Sequence, residues 1–322
     1  MDIEKRLELV KRETSEIITE KELLAILEQK KQPVVYHGFE PSGRIFHIGY
    51  IIGINKHIDF QKAGLRLKLL MADYHAWLNE KGSMEEIRET AKRYIKGFEA
   101  LGVDIKKADV VFGSEFQLKE DYFTDIMKLS LRIRLLRARR SMTLIGREEE
   151  DPHISQLFYP LMQAIDIKHL KVDIAFGDLA QRKIHVLARE ELPHLGYKAP
   201  IAIHHEFLQG LQGGKMSASV PASSIMIDDM PEKIEKKIKE AFCPAKQIKD
   251  NPILQICKFI ILPRESKLKV ERSRKFGGDI LYNSYTEIEK DFAAGKLHPL
   301  DLKVAVAASL IRILAPVRKK LG

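Results

Sequence analysis

The sequence predicts an α/β fold: a Rossmann-like parallel-sheet domain with a helical insertion, followed by a mainly helical C-terminal domain. Three observations predict it. Short apolar, β-branched runs alternate with helical patterns from Pro33 to about His204, the signature of a parallel sheet. The alternation is interrupted over residues 118–151 and stops near residue 223, beyond which the pattern is mostly helical. Glycine-rich and polar turns follow the apolar runs, at the carboxyl ends where open α/β sheets hold ligands.

Residues 2–31 read as two amphipathic helices, with Thr14-Ser15 or Thr19-Glu20 starting the second. The run Pro33–Tyr36 then enters Gly38, Pro41-Ser42-Gly43 and a helical pattern from Ile45, so this stretch is strand, turn, helix. Glycines let backbone approach a ligand, and the following helix N-terminus offers N–H groups to phosphate. His47-Ile48-Gly49 falls inside that helix start, where His47 is placed to donate to a phosphoryl oxygen and Gly49 to admit a flat base; both also read as ordinary helix residues. A helix Ile51–Gly64 leads to a strand Leu65–Met71, ending at Ala72-Asp73-Tyr74-His75, where Asp73 and His75 suit either a site or a turn. Ser83 and Glu86 form a capping box for a helix to Leu101, and a third strand, Ala108–Phe112, closes at Gly113–Gln117.

The interruption ends in Arg132–Arg140, five arginines in nine residues, which suits a solvated face or one that contacts phosphate. Next, Tyr159, Gln163 and Asp166 share one face of an apolar helix, and polar groups there need internal partners or a polar ligand. A fourth strand, Val172–Phe176, is followed by Gln181-Arg182-Lys183 at a helix start, and Pro200–His204 reads as a fifth strand. The loop 210–220 carries Lys215, Ser217 and Ser219, a cation and hydroxyls able to close on phosphates. Pro221 and Ser223-Ser224 mark a linker edge, giving domains 1–223 and 224–322, the second with a first-turn proline at Pro231 and a basic segment from Lys267 to Gly278.

A chain of 322 residues with 45% hydrophobic composition can bury a large core. The net charge of +9 and the pI near 9.3 suit a polyanionic partner, although solvated basic faces give the same balance. Cys243 and Cys257 provide neither a disulfide framework nor a zinc spacing, the N-terminus is a charged helix start, and no apolar run has membrane length; a cytoplasmic protein is expected.

The ordered pair Pro41-Ser42-Gly43 with His47-Ile48-Gly49, and Lys215-Met216-Ser217-Ala218-Ser219, resembles the signature motifs of class I aminoacyl-tRNA synthetases. Seven stretches narrow the resemblance to the archaeal and eukaryotic tyrosyl-tRNA synthetase family in its compact form, over essentially the whole chain: Gly38–Gly43, Ala72–Ala76, Gly113–Gln117, Arg137–Met142, Gln181–His185, Lys275–Gly278 and His298–Lys303. The resemblance implies that Tyr36 and Asp166 bind a phenol hydroxyl, that Leu70, Phe116 and Gln117 line the side-chain pocket, and that Tyr159, Gln163 and Gln181 hold the ammonium group. It further implies that Gly38, Ser42, Gly43, His47, Gly49, Lys215 and Met216 meet ATP, with Lys215, Ser217 and Ser219 on its phosphates. By the same resemblance Arg140, Arg182 and Lys183 face the acceptor end of tRNA, and Phe276, His298 and Asp301 read the anticodon.

The implied partners are L-tyrosine, ATP with Mg²⁺ and tRNA(Tyr), in a homodimer without membrane association, with no tightly bound cofactor and no protein-held metal. The implied reaction is attack of the tyrosine carboxylate on the α-phosphorus of ATP, then transfer to the terminal ribose of the tRNA. Two features depart from the family pattern: Phe46 is an extra residue before His47, with Tyr50 where a second histidine is usual, and Ala218 and Val220 alter the phosphate loop. The alternatives are a tryptophanyl-tRNA synthetase, which shares the motifs, and an inactive paralogue that binds tRNA through its basic surface.

Overall fold

A computed structural model describes residues 1–142, 153–214, 216 and 220–322. By packing, the chain forms two compact units, Met1–Arg44 with Lys56–Ile95 and Val103–Glu206, and Ile45–Asn55 with Lys96–Gly102 and Phe207–Gly322. Packing therefore groups the chain differently from the functional division at 223/224, since the stretch bearing His47 goes with the later residues.

The first unit is built on a six-stranded sheet of β1 (Glu16–Ile18), β2 (Val34–Phe39), β3 (Arg66–Met71), β4 (Ala108–Phe112), β5 (Ile174–Asp178) and β6 (Ile201–His205). Its order is β1-β6-β5-β2-β3-β4, with β2 to β6 parallel and β1 antiparallel to β6. The five parallel strands are the five the sequence predicts, and in chain order they lie 3-2-1-4-5. That is the doubly wound arrangement, in which the chain reverses its direction of travel between β2 and β5 and opens a crevice at their carboxyl ends. The register sets Gly38 opposite Leu70, and Tyr36 between Lys68 on one side and Ala175 on the other. Tyr36, Leu70, Tyr122, Leu129, Ile165 and Leu187 form one buried cluster beside this crevice.

β1 is not predicted: three residues are too short to show a strand period, and pairing with β6 is what makes them a strand. It separates the helices Ile3–Lys11 and Glu20–Gln29, the second of which starts at Thr19, whose side chain and Glu22 close a capping box. Ser83 and Glu86 close the predicted box on the helix Met84–Ala100. In the insertion, the helices Glu120–Ser130 and Leu135–Ser141 are present, and residues 143–152 lie outside the described residues. Two of its five arginines are engaged within the unit, Arg132 with Glu191 at 2.6 Å and Arg137 with Glu190 at 2.5 Å, so those two serve as ion pairs and not as a phosphate face.

The second unit is mainly helical, with Pro231–Glu240, Pro252–Ile256, Tyr285–Ala293 and Pro299–Leu321 as its principal helices. Pro231 and Pro299 occupy first-turn positions, where a missing N–H removes no helix bond. The sequence reading omits a small antiparallel pair, β7 (Leu268–Val270) and β8 (Ile280–Tyr282). Among the described residues, no helix is long and apolar enough to cross a membrane.

Candidate active site

At the carboxyl ends of β2, β3 and β5, a narrow cleft is lined by Tyr36, Gly38, Glu40, His75, Tyr159, Gln163, Asp166 and Gln181, all in the first unit. Tyr36 lies along its own strand: a Cβ on Gly38 would stand 2.7 Å from the Tyr36 hydroxyl, so only glycine at 38 leaves room for that phenol. Burial, assisted by the nearby Asp166, pushes the Tyr36 hydroxyl well above its usual range, and it stays protonated.

Asp166 is fully buried on the helix Ile154–His169. Its Oδ1 accepts from Gln117 Nε2 at 2.8 Å and from the Tyr122 hydroxyl at 2.8 Å, while its Oδ2 has no hydrogen-bond partner among the described residues. Burial raises this carboxyl to about 7 despite the two donors. His75 Nε2 stands 3.7 Å away and also lacks a partner. Burial holds the His75 imidazole down at about 3, so it is neutral at physiological pH and the two groups are not an ion pair. Two orphaned polar atoms facing one small cavity are costly unless a ligand group completes them. A hydroxyl, which both donates and accepts, meets that requirement.

At the other end, Gln163 Nε2 donates to Gln181 Oε1 at 2.9 Å, and Gln163 Oε1 has no partner among the described residues. Glu40 accepts from Asn79 at 3.0 Å, lies 3.7 Å from Lys81 and bonds to Tyr159; burial raises its carboxyl above the usual range. An unpaired amide oxygen beside a carboxylate and a tyrosine suits a cationic ammonium. Leu70 and Phe116 do not line the cleft but back it, Leu70 in the cluster around Tyr36 and Phe116 edge-on to Tyr122 at 5.5 Å.

The sequence reading places Tyr36, Tyr159, Gln163, Asp166 and Gln181 as site residues, and the fold gathers all five. It omits Tyr122 and Glu40. A tyrosine on an amphipathic helix reads as core, which Tyr122 also is; Glu40 carries a usable signal, a carboxylate just beyond the end of a parallel strand.

The motif residues before the helix Tyr50–Lys62 need one correction. His47 and Gly49 are not inside that helix; they precede it. Ile48 N–H donates to Ile225 at 2.8 Å, and Phe46 accepts from Ile227 at 3.2 Å, so this backbone is paired as a strap, with a bridge from His47 to Met226, and a helix cannot begin before Tyr50. Gly49 N–H donates to His47 Nδ1 at 3.1 Å, which assigns the ring proton to Nε2. A Cβ on Gly49 would come within 2.8 Å of that ring, so glycine is required there. The extra residue Phe46 is buried in an aromatic stack with Phe98 at 5.0 Å and Tyr50 at 5.2 Å, and Tyr50 meets the His47 ring edge-on at 5.1 Å. In the first unit, Ser42 N–H faces the Tyr94 hydroxyl at 3.4 Å, and Gly43, at φ +64°, accepts from Thr90 at 2.8 Å. Met216 is buried with its N–H on Leu208 at 3.1 Å; Lys215, Ser217 and Ser219 lie outside the described residues.

Of the expected nucleic-acid contacts, Arg140 and Lys183 are exposed, but the Arg182 guanidinium is engaged with Glu16 at 2.8 Å. Phe276 is 64% exposed. His298 caps the helix Pro299–Leu321 by accepting from Leu300 N–H at 3.2 Å, and Asp301 sits half-buried in its first turn. Among the described residues, no group of histidine, cysteine and carboxylate side chains is arranged to hold a metal ion.

Residues 28–315 match the family of class I tRNA synthetases for tryptophan and tyrosine. The chain is 51% identical over 322 residues to a tyrosine–tRNA ligase of Archaeoglobus fulgidus, covering 100% of this chain and 99% of the relative. It is 50% identical over 319 residues to the tyrosine–tRNA ligase of Methanopyrus kandleri, covering 99% and 98%. A crystal structure of the Archaeoglobus fulgidus tyrosyl-tRNA synthetase with L-tyrosine superposes with a TM-score of 0.95 at 50% identity, covering 100% of both chains.

Proposed function

The chain belongs to the class I tRNA synthetases of the tryptophan and tyrosine group, and from that premise we propose its function: it is a tyrosine–tRNA ligase. The observation that carries the choice of amino acid is the end of the cleft where Asp166 Oδ2 lacks a partner among the described residues, near the protonated Tyr36 hydroxyl. A phenol donates to the first and accepts from the second. An indole brings one N–H and no acceptor, so tryptophan would leave the Tyr36 hydroxyl unmatched. Phenylalanine would leave both unmatched, and its rejection by this enzyme family is itself the established illustration of discrimination by unpaired buried groups.

Gln163, Gln181 and Tyr159 then hold the ammonium, which directs the carboxylate out of the cleft. That carboxylate is ionised at neutral pH, so its attack on the α-phosphorus of ATP needs no general base. A P–O bond forms, the bond to pyrophosphate breaks, and a terminal ribose hydroxyl of tRNA(Tyr) later takes the tyrosyl group with release of AMP and a proton. Positioning and charge stabilisation supply the rate. His47 Nε2–H, Ser42, Gly43, Gly49 and Met216 meet ATP, and Lys215, Ser217 and Ser219 its phosphates. Mg²⁺ accompanies ATP and offsets phosphate charge. Arg140 and Lys183 serve the acceptor end, with Arg182 joining them on release of its Glu16 ion pair, and Phe276, His298 and Asp301 in the region 224–322 serve the anticodon.

Leu118, Phe123, Met127, Leu131, Leu135 and Leu136 are large, exposed and apolar on the insertion. Such a patch suits burial against a second copy, and we infer a homodimer through it, in the cytoplasm. Exchange of labelled pyrophosphate into ATP tests the reading: it should depend on tyrosine, and exchange with tryptophan alone would overturn it.

A further inference from the structure

We propose that Asp73 is a positioning residue for tyrosine recognition, acting through the turn that carries Gln117; this rests on the tyrosine pocket proposed above. Asp73 is fully buried at the start of the short helix that follows β3, and it does not line the cleft. Its Oδ1 accepts from Ser114 N–H at 2.9 Å and Tyr74 N–H at 3.0 Å, and its Oδ2 accepts from the Ser114 hydroxyl at 2.6 Å. Arg88 Nε lies 3.6 Å from Oδ2 and Arg88 Nη2 donates to the Ser114 hydroxyl at 3.1 Å, so the buried charge is matched from outside. One carboxylate thus ties the end of β3 to the 3₁₀ turn Gly113–Glu115 that ends β4.

The turn leads directly to the specificity group. Gln117 N–H donates to Gly113 O at 2.9 Å, closing the turn, and Gln117 Nε2 donates to Asp166 Oδ1 at 2.8 Å. The wrapping is tight: a Cβ on Gly113 would stand 2.4 Å from Gln117 Oε1 and 2.9 Å from Asp73 Oδ1. A shift of the turn therefore moves the Gln117 amide, and with it the donor that holds Asp166 Oδ1 and aims Oδ2 into the cleft. Hydrogen-bonded supports of this kind decide whether a recognition group is held in its productive position.

The test compares Asp73→Asn, Ser114→Ala, Gln117→Ala and the double variant Ser114→Ala/Gln117→Ala. Affinities for tyrosine and phenylalanine are read by calorimetry without ATP, with thermal unfolding recorded alongside. Ser114→Ala removes only the hydroxyl bonds and keeps the protein folded if Asp73→Asn does not. The expected result is a 10- to 100-fold loss of tyrosine-over-phenylalanine preference in Asp73→Asn, a smaller loss in Ser114→Ala, and no further loss when Ser114→Ala is added to Gln117→Ala. A role in stability alone would lower the melting temperature and leave the preference unchanged, which overturns the inference while the pocket reading stands. If the unmodified protein shows no preference for tyrosine, the pocket reading fails and the inference with it.

Discussion

Replacing Asp166 by asparagine separates the stability of the empty cleft from its selectivity. The side chain keeps its shape, and its remaining oxygen still accepts from Gln117 and Tyr122. What it loses is a carboxylate that burial raises to about 7 in the folded chain, against an ordinary value of 3.8 when unfolded. A raised carboxylate means that the folded state binds the proton more tightly. Its effect on stability is nil below about pH 4, turns unfavourable as pH rises, and levels off above about pH 7. The full difference corresponds to about 4 kcal/mol, an upper value since the empty cleft admits some relaxation. The amide of the variant does not ionise and carries no such penalty. Thermal unfolding without ligand, from pH 4.5 to pH 8, should show Asp166→Asn gaining on the unmodified protein as pH rises to about 7 and holding that gain above it. The same variant should lose roughly 10- to 150-fold in kcat/KM for tyrosine, the size of a hydrogen bond to a charged group, with little change for phenylalanine. A melting-temperature difference that does not vary with pH, or an equal loss for both amino acids, would show that Asp166 is not the ionisable acceptor of the hydroxyl.

Gly38→Ala places a methyl against the Tyr36 hydroxyl and should raise KM for tyrosine by more than KM for ATP; equal increases in both would contradict the assignment of that phenol. Burial lowers the imidazoles of His37, His57, His75, His185, His204 and His205 in the folded chain, with His57 and His75 near 3. Histidines kept neutral on folding but charged when unfolded give stability that is present above about pH 6.5 and is lost as pH falls; His57 and His75 together outweigh Asp166 over this range, and urea midpoints that stay flat between pH 7 and pH 4.5 would count against this. Leu131, 90% exposed, lies on the inferred dimer face, and Leu131→Asp with Leu135→Asp should shift the mass in solution from dimer to monomer; an unchanged mass removes this face from the interface.

The doubly wound sheet was legible because its strands are near-continuous apolar runs separated by helices with their own capping signals, as at Ser83 and Glu86. Tyr159, Gln163 and Asp166 were legible because polar groups on an otherwise apolar helix require partners. β1, β7 and β8 were not: each has three residues and exists only through its pairing. The start of the helix at Tyr50 was hidden for a related reason, since residues distant in the chain, Ile225 and Ile227, take up the backbone groups of Phe46 and Ile48. Tyr122 looked like core because it is core; only the fold reveals that its hydroxyl reaches Asp166. Sequence pattern records which face a residue takes, whereas tertiary pairing decides what its polar atom meets.

By the roles given to Tyr36 and Asp166, the cleft selects a hydroxyl. Calorimetric titration of the unmodified protein with tyrosine and with phenylalanine, in the absence of ATP and tRNA, tests it most directly. Tyrosine should bind at one site per chain, with no phenylalanine binding at concentrations that saturate with tyrosine. Comparable affinities for the two would contradict the roles given to Tyr36 and Asp166.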